Sequence, residues 1–137
     1  VEAAVQTEYD YVVYIEANTN SYVMYTYNRE SGTPVHPVAS NDYEKEVAEF
    51  HHKYVPEDQR DELTRNLSLD HVLSVLRNSR EYVLFCQVME NGVFRDKKMR
   101  FSFFDKERNI LLLTRTDIME VREEDGKGNY FKMPYNG

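Results

Sequence analysis

The chain has 137 residues, enough for one domain that buries its own hydrophobic core without disulfides or metal. Apolar residues make up 41% and charged residues 30%, which excludes a disordered chain, and no apolar run approaches the ~20 residues of a membrane-crossing helix. Seventeen Lys and Arg against twenty-four Asp and Glu leave a net charge of −7 at pH 7, a field that repels phosphate and argues against nucleic acid or an anionic membrane as partner.

In chain order, Tyr9 to Asn28 holds two β-rich runs around Asn18-Thr19-Asn20, which predicts a hairpin. Tyr9, Tyr11, Val13 and Ile15 share one face of the first strand, and Val12 and Tyr14 make the other face apolar too, so burial on both sides is expected. Arg29 to Ser40, with Gly32, Pro34 and Pro37, has no period and reads as a loop. Three short helices follow. Asn41 with Glu44 forms a capping box for the first, whose Tyr43, Val47, Phe50 and Tyr54 fall on one stripe. Pro56-Glu57-Asp58 opens the second, with Leu63 and Leu67 inward, and the third runs from about Leu69 to Arg77 on Leu69, Val72, Leu73 and Leu76.

Strands return at Glu81. Tyr82, Leu84, Cys86 and Val88 alternate with Val83, Phe85, Gln87 and Met89 up to Asn91-Gly92, a dipeptide suited to the positive φ angles of a tight hairpin. The next strand sets Met99, Phe101 and Phe103 against Lys98, Arg100 and Ser102, one face covered and one wet. After the polar turn 105–109, Ile110 to Leu113 is apolar on both faces and reads as a central strand ending at Asp117-Ile118-Met119. The expected fold is α+β, an antiparallel sheet of five strands with a helical insert between strands 2 and 3. The tail from Val121 carries Glu123-Glu124-Asp125 and Gly126-Lys127-Gly128, then an apolar end, residues 130–135, to which the sequence assigns no role. Because the chain opens at Val1 with no initiator Met and no leader pattern, it is expected to be a fragment of a longer protein.

This order of elements, with three local motifs, resembles the PAS (profilin-like) sensor modules that accompany GGDEF diguanylate cyclase and histidine kinase domains in bacterial signalling proteins. Tyr9-Asp10-Tyr11-Val12-Val13-Tyr14-Ile15 with Tyr22-Val23-Met24-Tyr25 resembles their first hairpin. Val55-Pro56-Glu57-Asp58 is similar to a His-Pro-Glu-Asp helix start, with Val55 in place of the His, so no imidazole role carries over. Thr116-Asp117-Ile118-Met119-Glu120 resembles the Asp-Ile-Thr-Glu that closes the last strand, with Met119 in place of the Thr. The resemblance spans about 9–121, leaving 1–8 as lead-in and 122–137 as a linker or the stub of a next domain. It implies a sensory module with no catalysis of its own, which binds a small ligand or mediates homodimerisation and modulates an attached output domain. It also implies coupling to that output through Asp117, Ile118, Glu120 and Arg122.

Candidate pocket residues are Tyr43, Val47, Phe50 and Tyr54 from the helix and Phe85, Met99, Phe101 and Leu112 from strands; each also has an ordinary place in a core. The cofactor is unknown. Flavin adduct chemistry needs a reactive Cys in the insert, whereas Cys86 falls in a strand. Haem or another metal needs an inward His, and adjacent His51 and His52 point ~100° apart on a helix, while His36 and His71 stand alone. No Gly-x-Ser-x-Gly elbow is present. A single Cys excludes an internal disulfide framework and fits a reducing, cytoplasmic setting. Six of the eleven tyrosines lie between Tyr9 and Tyr27, where they either pack the hairpin or line a pocket or dimer surface. Two rival expectations remain: an enzyme of ketosteroid-isomerase-like cone type, with Tyr and Asp sharing a pocket, and a pure docking module with a filled core.

Overall fold

A computed structural model describes residues 9–26 and 37–118, together with the backbone of 121–124 and 130–133. The chain runs β1 (Tyr9–Glu16), β2 (Ser21–Tyr25), β3 (Val38–Ser40), α1 (Tyr43–Tyr54), a 3-10 turn (Glu57–Gln59), α2 (Arg60–Asn66), α3 (Leu69–Leu76), β4 (Tyr82–Glu90), β5 (Val93–Asp105) and β6 (Ile110–Asp117). These six strands form one antiparallel sheet in the order β3-β2-β1-β6-β5-β4. Two further strands, β7 (Val121–Glu124) and β8 (Tyr130–Met133), pair with each other as an antiparallel ribbon.

The fold is thus α+β, with the helical insert between the two hairpin-linked groups of strands. The count differs from expectation. Val38–Ser40, expected as loop, adds a sixth strand at the edge by pairing with Tyr22–Met24. Three residues are too few for a two-residue period to stand out from a loop rich in Pro and Gly.

Turn chemistry fixes the hairpins. Asn91 and Gly92 both take positive φ (52° and 79°), as a two-residue hairpin turn demands, and Asn20 (57°) and Asn109 (55°) close the other two turns in the region that Asn tolerates best after Gly. Asn20 also starts α1. Its carbonyl accepts from the Tyr43 amide (2.8 Å), its side-chain oxygen accepts from the Glu44 amide (3.1 Å), and its Nδ2 donates to Asp42 Oδ1 (2.9 Å). The cap of α1 is therefore Asp42, which accepts from the Lys45 amide (3.1 Å), and not Asn41. Nor does Glu44 complete a capping box: its carboxylate accepts from the Leu69 amide (2.9 Å) at the start of α3. Long-range partners outcompete the local box at both ends.

One face of the sheet meets the insert. Val13, Ile15, Phe101, Leu111 and Leu113 pack there with Leu63, Leu67, Leu69, Val72 and Leu76. The opposite face is only half covered. Val12, Tyr14, Ile110 and Leu112 are half-buried, so the expected two-sided burial of the first and last strands is not realised. Tyr14 meets Tyr25 and Phe104 edge-on there, at 6.0 and 5.0 Å between ring centres. Lys98, expected in water, is buried, with Phe85 and Thr116 as its cross-strand neighbours. Among the described residues no helix is long and apolar enough to cross a membrane.

Candidate functional site

Between α1 and the covered face of the sheet lies a cavity of about 620 Å³, within the usual range for small-molecule sites. Spacing of 4, 3 and 4 residues puts Tyr43, Val47, Phe50 and Tyr54 on one side of α1, and all four line it. Opposite them stand Tyr11 and Val13 of β1, Tyr22 and Met24 of β2, Cys86 and Val88 of β4, Met99 of β5, and Leu113 and Arg115 of β6. Register brings the strand residues together: Arg115 is paired with Tyr11 on one side and Met99 on the other.

The floor at one end is ionic. The β1–β6 register shifts between Tyr9 and Tyr11, so Asp10 is the extra residue of a bulge, which is how both Asp10 and its neighbour Tyr11 come to line the cavity. Asp10 Oδ2 accepts from Arg115 Nε at 2.7 Å and lies 2.9 Å from Lys97 Nζ. Lys97 is 0% exposed and holds two more carboxylates, Glu90 at 3.0 Å and Asp117 at 2.5 Å. The Arg115 guanidinium lies 4.7 Å from the Tyr11 ring centre and 5.4 Å from that of Phe50, in cation–π range of both.

Burial works against the charges of Asp10, Lys97 and Arg115, and pairing overcomes it. Desolvation would raise the Asp10 carboxyl, but the hydrogen bond from Lys97 and the charge of Arg115 hold it below its ordinary value. Desolvation would likewise lower the Lys97 ammonium, which hydrogen bonds to Asp117, Asp10 and Glu90 raise instead. Asp10, Lys97 and Arg115 stay ionised at neutral pH. In the uncharged groups burial is the leading cause: the Tyr11 hydroxyl is pushed up to about 12, with Arg115 restraining it, and the Cys86 thiol to about 11. Cys86, whose Sγ is 3.8 Å from Met99 Sδ, is therefore a poor nucleophile at neutral pH.

His51 is buried, and its Nδ1 lies 2.9 Å from Thr64 Oγ1, while burial pushes its pKa down to about 4. His52 and His71 are exposed, and His36 lies outside the described residues. Among the described residues no three His, Cys, Asp or Glu side chains gather as metal ligands.

Of the eight expected pocket residues, Tyr43, Val47, Phe50, Tyr54 and Met99 line the cavity. Phe101 shares their face but is core, stacked on Tyr82 at 6.0 Å and 0% exposed. Phe85 and Leu112 do not line the cavity: each alternates with inward neighbours, Cys86 and Leu111, and belongs to the opposite face, where Phe85 is 52% exposed. Of the four coupling residues, Asp117 joins the Lys97 cluster and the Ile118 amide donates to the Asp96 carbonyl (3.2 Å). Glu120 and the side chain of Arg122 lie outside the described residues, as do Tyr27, Met119 and the side chains of the apolar tail.

Asp10, Glu90, Lys97 and Arg115 are not among the residues expected from the sequence to form a site. A signal was available: Lys97 is in phase with Met99 and Phe101, and Arg115 with Leu111 and Leu113, so both cations sit on the apolar face of their strands. No family model, curated protein or solved structure matches this chain.

Proposed function

We propose that this chain is a PAS-like sensory module of a bacterial signalling protein, binding a small ligand between α1 and the sheet and modulating an output domain such as a diguanylate cyclase or histidine kinase. The observation that carries the reading is the cavity itself, apolar on its walls and ionic at one end. A filled core would have served a pure docking module. The order of the five long strands, β2-β1-β6-β5-β4, with all three helices between β2 and β4, supports the same reading.

Coupling has a physical route in this proposal. Asp10 and Glu90 line the cavity, Asp117 ends β6, and the buried Lys97 ammonium touches all three. A ligand that repositions either cavity carboxylate changes what Lys97 offers Asp117, and it shifts the equilibrium by its differential affinity for the two arrangements. Enol chemistry of the isomerase type is disfavoured, because it needs an unpaired carboxylate base or a neutral carboxylic acid, and Asp10 is an ion-paired anion.

Native mass spectrometry tests the reading. The expected result is a protein peak carrying one small-molecule adduct per chain, retained from expression or acquired from a metabolite panel. A bare monomer or dimer that acquires nothing from the panel overturns it.

A further inference from the structure

Resting on that reading, the chemistry of the cavity narrows what it holds. A guanidinium has five N–H donors in a planar fork suited to two acceptor oxygens. In Arg115 the Nε–H goes to Asp10, and Glu90 stands 3.9 Å from Nη2, beyond hydrogen-bond reach. The side chain is 91% removed from solvent and lines the cavity at its ionic end. Hydrogen bonds to a charged group in a water-poor site are stronger than those in solvent, so a ligand oxygen that reaches the guanidinium is favoured.

Around the guanidinium the surfaces are aromatic and apolar: Tyr11 and Phe50 beneath it, Tyr43, Tyr54 and Met24 further along. At the rim are the exposed carboxylates Glu46 and Glu49, with Lys53 lying 5.3 Å from the Tyr54 ring centre. An acidic rim on a protein of net charge −7 repels polyanions, nucleotides and di- or tricarboxylates most strongly. One carboxylate on an apolar body passes that rim at the least electrostatic cost and meets a matched fork at the floor.

We propose that the cavity takes a small aromatic monocarboxylate, its carboxylate accepting from the terminal nitrogens of Arg115 and its ring lying among Tyr11, Tyr43, Phe50 and Tyr54. The rim then selects against multiply charged anions, and Asp10 acts as a positioning residue that fixes the guanidinium through Nε.

A matched series with one ring system tests this: indole-3-acetate, indole-3-acetamide and tryptamine, with succinate and inorganic phosphate as further anions, each titrated against the intact chain by calorimetry and by thermal shift. Indole-3-acetate is expected to bind at least tenfold more tightly than the amide, with no saturable binding of tryptamine, succinate or phosphate. Arg115→Lys keeps the charge and loses the fork, and is expected to cost at least tenfold in affinity. Because Arg115 variants carry a risk to folding, the rim gives a second, independent sign: Glu46→Gln with Glu49→Gln, both at exposed positions, should tighten indole-3-acetate by about threefold at low salt. Preference for tryptamine or the amide, or weaker carboxylate binding in the rim variant, overturns the assignment while leaving a ligand-binding cavity in place. If indole-3-acetate does not bind at all, this assignment falls, and the sensory reading then stands or falls on the adduct measured by native mass spectrometry.

Discussion

Two ends of one sheet face are built on opposite principles. Along β6, Leu111, Leu113, Arg115 and Asp117 occupy successive positions on the same side, and within those seven residues the environment changes from closed hydrocarbon to a buried ion cluster. At the Leu111 end, Ile15, Leu111 and Phe101 are 0% exposed, in a core shared with α2 and α3. At the Arg115 end α1 stands over the sheet, and among the described residues a cavity lies between them. One half of this face is closed by apolar packing. The other half retains charges whose burial is tolerated because each has a partner, a configuration that favours specificity over stability.

Breaking the ion cluster should have the largest effect. Lys97→Met removes the buried cation that touches three carboxylates and leaves Asp10 to Arg115, with an expected loss of about 3–5 kcal/mol in urea unfolding at pH 7. Adding Asp10→Asn should recover a substantial part of that loss. A neutral Lys97→Met would show that the Lys97 ammonium does not hold the three carboxylates together.

Leu111→Ala, at the closed end, should cost about 3 kcal/mol through lost burial and a residual cavity. Its cost should not depend on whether Asp10 is Asp or Asn, which double-mutant cycles measure directly. A large coupling between Leu111 and Asp10 would mean that the two ends are one cooperative network.

His51 sharpens the comparison by pH. Its folded pKa of about 4 lies below the ordinary 6.5, so the unfolded chain binds the proton first as pH falls. The stability due to its neutral burial is complete above pH 6.5 and is lost as pH falls toward 4, reaching at most about 2 kcal/mol by pH 5. Unfolding free energies measured from pH 7 to 4.5 should show this slope in the parent and a shallower one in His51→Gln. The smallest effect is expected on the far face, where Phe85→Ser should change stability by within about 0.5 kcal/mol and leave ligand affinity unaltered.

Much of this fold was legible because strong periods and turn residues coincide. Asn91-Gly92, the α1 stripe and the inward leucines of α2 and α3 stand as read from the sequence. Phe85 and Leu112 lie on the face opposite Cys86 and Leu111, a placement that alternation along their strands already sets. The ionic floor was hidden for a different reason: Asp10 reaches it through a bulge and Lys97 and Arg115 through strand register, and neither is a local property of the sequence. The same holds for Asn20 and Glu44, whose capping partners lie 22 to 25 residues away.

The central claim is that a ligand enters the space between α1 and the Arg115 end of the sheet, and methionine methyl NMR reads it directly. Met24 and Met99 line the cavity, and Met89 on β4 does not. Titrating indole-3-acetate into methyl-labelled protein should shift the Met24 and Met99 resonances saturably and leave Met89 in place. Shifts confined to Met89, or saturable binding that moves neither Met24 nor Met99, would contradict the account.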